Sequence, residues 1–191
     1  MVGLNHFPLL SLVTITVLLL FIPCLTTADQ TYGPKKDDIP VPKPDNCAQY
    51  NETDLRISFL AQHNLARKQF GIPSLVWDEA VANYSRNYTQ LRRSDCKLIH
   101  SHGDYGENLF WGSGDCWTVN QIAQAWLIEM KDYDYPSNKC RPDKVCGHYT
   151  QIVWRNTKRL GCAVVICDNN LGTFAICNYD PPGNYVGMWP Y

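Results

Sequence analysis

The chain has 191 residues, 18% of them charged, and a formal net charge of -1. That balance excludes a surface built to track nucleic-acid phosphates, and the length fits one domain once a leader is set aside. Nine cysteines in so short a chain point to an oxidising compartment.

Residues 1–28, MVGLNHFPLLSLVTITVLLLFIPCLTTA, contain no Lys, Arg, Asp or Glu and carry an apolar run from Leu9 to Leu25. The run ends at the small-residue site Thr26-Thr27-Ala28, so a secretory signal peptide cleaved after Ala28 is expected. A retained signal anchor is the alternative, because the start of the segment lacks a basic residue. No later segment is apolar enough to span a bilayer. Residues 29–46 hold four prolines, several charges and almost no apolar side chains, the composition of an extended, solvated arm. A folded domain over residues 47–191 follows.

Within it the spacing predicts a helix from Asp54 to Phe70 with Leu55, Phe59, Leu60 and Leu65 near one face, stopped by Gly71 and Pro73. A second helix runs from a cap at Asp78 to about Arg93, with Val81, Tyr84, Tyr88 and Leu91 as its apolar stripe. A third starts at Thr118 and turns Val119, Ile122, Ala123, Trp126 and Met130 inward. Residues 98–110, LIHSHGDYGENLF, read as a loop. Three strands complete the chain: Tyr149 to Arg155, Leu160 to Ile166, and Thr173 to Tyr179. Asp168 to Gly172 supplies the turn between the last two, and helices followed by an antiparallel meander imply an α+β domain.

Eight cysteines follow the leader: Cys47, Cys96, Cys116, Cys140, Cys146, Cys162, Cys167 and Cys177. An even set after a signal peptide reads as a disulfide framework; no pair has the CxxC spacing of a zinc site. Sequons at Asn51, Asn83 and Asn87 agree with secretion. Asn83 and Asn87 are four residues apart, so glycans on both need one flank of the second helix exposed.

Glu129, three residues after Trp126, falls on or beside the apolar face of the third helix. A carboxylate there needs a cation, a donor or a metal. His148, at the head of GHYTQIVW, and His100, in the loop with Glu107, are the candidate partners. Cys96 and Cys146 stand close in sequence to the two histidines and can hold such a group rigid.

With GHYTQIVW at 147–154, CNYDPPGNY at 177–185, HNLAR at 63–67 and HSHGDYGENLFWG at 100–112, the chain resembles the CAP superfamily, and within it the plant pathogenesis-related group 1 proteins. The resemblance implies a three-layer α-β-α sandwich with a central antiparallel sheet, stapled by disulfides. Carried over residue by residue, it implies a cleft lined by His100, Glu107, Glu129 and His148. It also implies the pairs Cys96 with Cys167, Cys140 with Cys146, and Cys162 with Cys177, each contributing roughly 2 to 4 kcal/mol. Cys47 and Cys116 depart from the plant pattern, and their pairing is the simplest proposal.

The cleft has three readings. The histidines can bind Zn²⁺ or another divalent metal through neutral ring nitrogens, with the glutamates orienting the rings. Occupancy then falls as the imidazoles protonate. The cleft can be hydrolytic, with a Glu as base and Ser101 or a metal-bound water as nucleophile, although no GxSxG or HExxH motif supports this. Or the four side chains satisfy one another. His63 and Arg67 read as anchors of the first helix to neighbouring backbone, and His102 as a solvated loop residue.

At the level of the organism, the resemblance implies a secreted, non-enzymatic, antimicrobial defence protein of the plant extracellular space. It implies a sterol or fatty acid as ligand, pathogen proteins as further partners, and a monomer with no stable membrane span. Tyr133, Tyr135, Phe110 and Trp111 are candidate groove residues, with core packing the role of at least half. Residues 181–191 resemble a tail that some relatives release as a signalling peptide, here by a cut between Asp180 and Pro181. The competing expectation is a proline-stiffened tail that closes one edge of the fold.

Overall fold

The structure, a computed structural model, describes residues 50–114 and 117–191. The leader, the proline-rich arm and the Cys47–Cys116 pairing lie outside the described residues. The elements are α1 (Glu52–Lys68), β1 (Val76–Trp77), α2 (Glu79–Arg92), β2 (Gly106–Gly112), α3 (Val119–Leu127), β3 (Tyr133–Asp134), β4 (Lys139–Cys140), α4 (Gly147–Ile152), β5 (Arg159–Ile166) and β6 (Thr173–Asp180). One sheet has the order β1-β5-β6-β2, antiparallel except where β1 runs parallel to β5; β3 and β4 form a separate hairpin.

Alternation along the strands builds two cores. Phe110, Leu160, Cys162, Ala175, Cys177 and Tyr179 pack on one face with Phe59 of α1, Ile122 and Trp126 of α3, and Tyr149 of α4. Leu109, Ala163, Val165, Phe174 and Ile176 pack on the other with Tyr88 of α2. Helices on both faces of a sheet make the α-β-α sandwich. Disulfides Cys96–Cys167, Cys140–Cys146 and Cys162–Cys177 staple it.

Helix starts follow their capping chemistry. The Asp78 carboxylate accepts from the Ala80 and Val81 amides, and Thr118 forms a capping box with Gln121. Asn51 caps α1 through Thr53 N and Asp54 N, so the helix begins at Glu52, two residues before the expected start. In the β5–β6 turn Asn169, Asn170 and Gly172 take positive φ, as the turn residues predict.

Several expectations are corrected. GHYTQI is a helix, α4, and the segment before β5 contributes no strand. Within α4 Tyr149, Gln151 and Ile152 are buried, His148 and Thr150 are half-buried and Gly147 is exposed, a pattern that alternates as a strand would over residues 148–151 and is too short to show a helical period. Gly106 to Gly112 is a strand paired with β6 along its length, so Glu107 stands on the sheet edge. Leu109 and Phe110 are buried on opposite faces, which removes the alternation that would reveal it. The third helix ends at Leu127 and passes into a 3-10 turn, Ile128 to Asp132, which leaves Met130 exposed and puts Glu129 in the turn. Leu65 and Leu91 are exposed as well.

The approach of α2 to the sheet gives one test. A Cβ on Gly161 would stand 2.1 Å from Ala82 N and 2.4 Å from Val81 C, both backbone atoms. Gly161→Ala is therefore expected to cost about 3 kcal/mol, read as a fall of about 6 to 12 °C in the thermal midpoint. A midpoint within about 2 °C of the parent would show that α2 and β5 are not in this contact.

Candidate functional site

The four candidate residues form two histidine–glutamate pairs, His100 with Glu107 and His148 with Glu129. Glu107 projects from β2 with its side chain only 6% exposed. It accepts from His100 Nδ1 at 2.6 Å, from Ser101 N at 3.0 Å and Ser101 Oγ at 2.5 Å, and from Asn178 Nδ2 at 3.4 Å. Glu129 accepts from His148 Nδ1 at 2.6 Å and from the backbone amides of His148 and Tyr149. These two amides open α4, so a side chain from a neighbouring turn supplies the N-terminal acceptor that Cys146 lacks.

Since a carboxylate can only accept, each Nδ1 carries a proton, and in the neutral ring Nε2 is the nitrogen with the free lone pair. Trp126 stacks on His148, with centroids 6.3 Å apart and planes at 20°. Asn108, next to Glu107 on β2, donates to the carbonyl of His148 at 3.0 Å and joins the pairs. Among the described residues no three His, Cys, Asp or Glu side chains are placed to share a metal ion.

Behind the pairs runs a buried relay. His63 Nδ1–H donates to Phe59 O at 2.7 Å, its Nε2 accepts from Tyr179 Oη at 2.8 Å, and Tyr179 accepts from Asn108 Nδ2 at 2.9 Å. Burial pulls His63 down to about 4 and pushes the Tyr179 phenol well up, so both stay neutral. Sequence reading found His63 as an anchor but missed Asn108, Asn178 and Tyr84. A lone polar residue on a strand or helix carries no periodic signal of what it meets.

Ser101 lies beside Glu107, but its Oγ donates to that carboxylate and accepts from Tyr84 at 3.0 Å. The His100 ring is turned to Glu107, so no imidazole serves as the base of Ser101. His102 is exposed, as expected of a solvated loop residue.

The C-terminal tail is docked at both ends. Lys158 N donates to Asp180 O, Arg159 pairs with the Asp180 carboxylate, and Thr157 Oγ1 donates to Pro181 O. At the far end Tyr191 stacks on Phe70 at 4.3 Å and on Tyr135 at 4.7 Å, while Arg155 N donates to Pro190 O. Between them a cavity of about 310 Å³ lies among Tyr133, Trp154, Tyr185 and Met188. Of the candidate groove aromatics, Phe110 is buried in the core, Trp111 is exposed, and Tyr133 and Tyr135 belong to this tail cluster.

A longer apolar feature follows the seam between α1 and α3. A recess of about 340 Å³ lies between Leu55, Ile57 and Ala61 on one side and Thr118, Val119 and Asn120 on the other. Past Gln62 a second, of about 190 Å³, continues between Leu65, Ala66 and Phe70 and Leu127, Met130 and Tyr149. Gln124 donates to Gln62 across the seam at 3.3 Å. Ile57 and Leu65 are each 60% exposed there, although both are large and apolar.

The model of the CAP family, described as the cysteine-rich secretory protein family, matches residues 60–179. The chain is 47% identical over 146 residues to pathogenesis-related protein PR-1 of Medicago truncatula, covering 76% of this chain and 84% of the relative. It is 53% identical over 133 residues to pathogenesis-related protein 1A of Nicotiana tabacum, covering 70% and 79%. Among solved structures, Na-ASP-1 superposes with a TM-score of 0.62 at 28% identity, over 82% of this chain and 46% of that one. NaASP2 with Zn2+ does so with a TM-score of 0.62 at 25% identity, over 78% and 88%. The fold, the disulfides and these relatives agree: the chain belongs to the CAP family and is of the plant pathogenesis-related protein 1 type.

Proposed function

We propose that this is a secreted, extracellular plant defence protein that acts by binding a sterol or other lipid-class ligand and not by turnover. The α1–α3 groove carries the reading: it holds large apolar side chains open to solvent along two adjoining recesses, where a closed core would bury them. Named relatives among the plant pathogenesis-related proteins and the disulfide framework support the defence role and the extracellular setting. Antimicrobial action follows if the ligand is one that the attacking organism needs and cannot replace. Non-enzymatic action is favoured because Ser101 lacks an imidazole partner.

We extend the proposal to a weakly held divalent ion at the histidines, where the described residues offer these two imidazoles and no third His, Cys, Asp or Glu ligand. His100 and His148 would hold it through Nε2, and Glu107 and Glu129 orient the rings through Nδ1, the outer-shell arrangement that raises ligand basicity. Such an ion would supply Lewis acidity. NaASP2, whose structure contains Zn2+, is the relative that supports this part of the reading.

Equilibrium binding of a radiolabelled sterol and of the fluorescent fatty acid cis-parinaric acid tests the groove. One saturable site per chain is expected for at least one of the two. Affinity should fall at least about tenfold in Ile57→Arg/Leu65→Arg, two exposed positions where the fold tolerates charge. It should stay within about twofold in His100→Ala/His148→Ala. Absence of saturable binding, or loss confined to the histidine variant, would overturn the reading.

A further inference from the structure

The three sequons differ in what surrounds them. Asn83 and Asn87 are exposed on α2, on the face of the sheet away from the groove. Their sequon hydroxyls are buried: Ser85 Oγ bonds Gly161 O and Asn178 Oδ1, and Thr89 Oγ1 bonds Arg86 O. The sequon Asn51-Glu52-Thr53 is exposed throughout, and Asn51 itself lines the larger recess beside Asp54, Leu55 and Thr118. Its Oδ1 caps α1 by accepting from Thr53 N at 2.8 Å and Asp54 N at 3.3 Å.

An N-linked sugar attaches through Nδ2, and the amide carbonyl survives the linkage. The cap and the modification are therefore compatible: Oδ1 stays on the helix amides while the glycan leaves from the other side of the same amide. A bulky, hydrated sugar rooted there stands at the mouth of the recess, over the exposed side chain of Ile57.

We infer that Asn51 carries an N-linked glycan that covers the outer end of the α1–α3 groove and limits entry of the apolar ligand. This rests on the groove as the ligand site. The glycan makes the groove mouth polar and narrows it, so a ligand enters only past an ordered sugar or from the Phe70 end. The α2 glycans, on the far face, have no such effect.

The test uses full-length protein secreted from a glycosylating plant cell line. Peptide mass mapping should find Asn51 occupied. Thr53→Ala abolishes this sequon and keeps the Asn51 cap, since the cap uses the backbone amide of residue 53. Hydroxyl-radical oxidation of Ile57 is expected to be several-fold lower in the parent than in Thr53→Ala, and cis-parinaric acid to bind the variant about fivefold tighter. Asn83→Gln/Asn87→Gln should match the parent in both. An unmodified Asn51, or equal Ile57 oxidation in parent and variant, overturns the inference. Ile57 shielding with no parinarate binding in either form would uphold the glycan's position and overturn the groove as a ligand site, so the two failures are distinct.

Discussion

Arg67→Met is expected to lower stability by about 3 to 5 kcal/mol, the larger of the two main stability effects. Arg67 is fully buried in α1, and no carboxylate among the described residues forms an ion pair with it. Its Nε donates to Pro73 O at 2.7 Å; Nη1 to Ile152 O at 2.9 Å and Trp154 O at 2.8 Å; Nη2 to Thr157 O at 3.0 Å and Arg155 O at 3.4 Å. All but Pro73 O, which lies between α1 and β1, belong to the end of α4 and the chain leaving it, where a helix has acceptors to spare and a cation is favoured by its dipole. Burial pulls the guanidinium down to about 10, so it stays charged at neutral pH. Methionine fills the volume and leaves the carbonyls unpaired. Lysine keeps a charge but offers three donors from a single point, so Arg67→Lys should recover less than half of the loss. Urea midpoints followed by tryptophan fluorescence, with disulfides intact, measure both. A loss below about 1 kcal/mol for Arg67→Met would mean that water satisfies the α4 carbonyls.

His63 makes stability fall on acidification. Desolvation holds the native ring near 4, opposed by the Phe59 carbonyl and assisted by the nearby Arg67 charge, while in the unfolded chain it titrates at about 6.5. The unfolded state thus binds more protons between these values. Its contribution is whole above about pH 6.5, shrinks as pH falls toward 4, and changes no further below. The expected loss is about 2 kcal/mol from pH 7.5 to 5 and about 3 kcal/mol to pH 4. Protonation also breaks the relay, because Nε2 could no longer accept from Tyr179. The difference in urea midpoints between pH 7.5 and 5 should shrink in His63→Gln, whatever its absolute stability. An unchanged pH slope would assign the acid lability to other groups.

Legibility tracked whether the signal was local. Asp78 and Thr118 were readable as caps because the acceptor and the amides it serves lie within three residues. β5 and β6 were readable from their apolar runs and the Asn-rich turn between them. Glu129 was singled out by its place beside the apolar face of the third helix, and His100, Glu107 and His148 as its candidate partners and their loop neighbour, while the pairing of Glu107 with His100 and Glu129 with His148 came with the fold. The groove was not readable: Leu65 looks like a core residue, and only the separation of α1 from α3 leaves it open.

The segment 147–154 marks the boundary between the two kinds of information. Sequence alone determined the family motifs, the count of cysteines and the two helices, α2 and α3, that begin at their own caps. It could not decide that GHYTQI is helical. Six residues give under two turns, alternating β-branched and aromatic side chains mimic a strand, and the buried set Tyr149, Gln151 and Ile152 includes a polar residue, which blurs the apolar stripe. Tertiary structure decided it by bringing Glu129 to the first amides and Arg67 to the last carbonyls. These charged groups lie 19 and 85 residues away in the chain, and their fit to the helix ends exists only once the sandwich has closed.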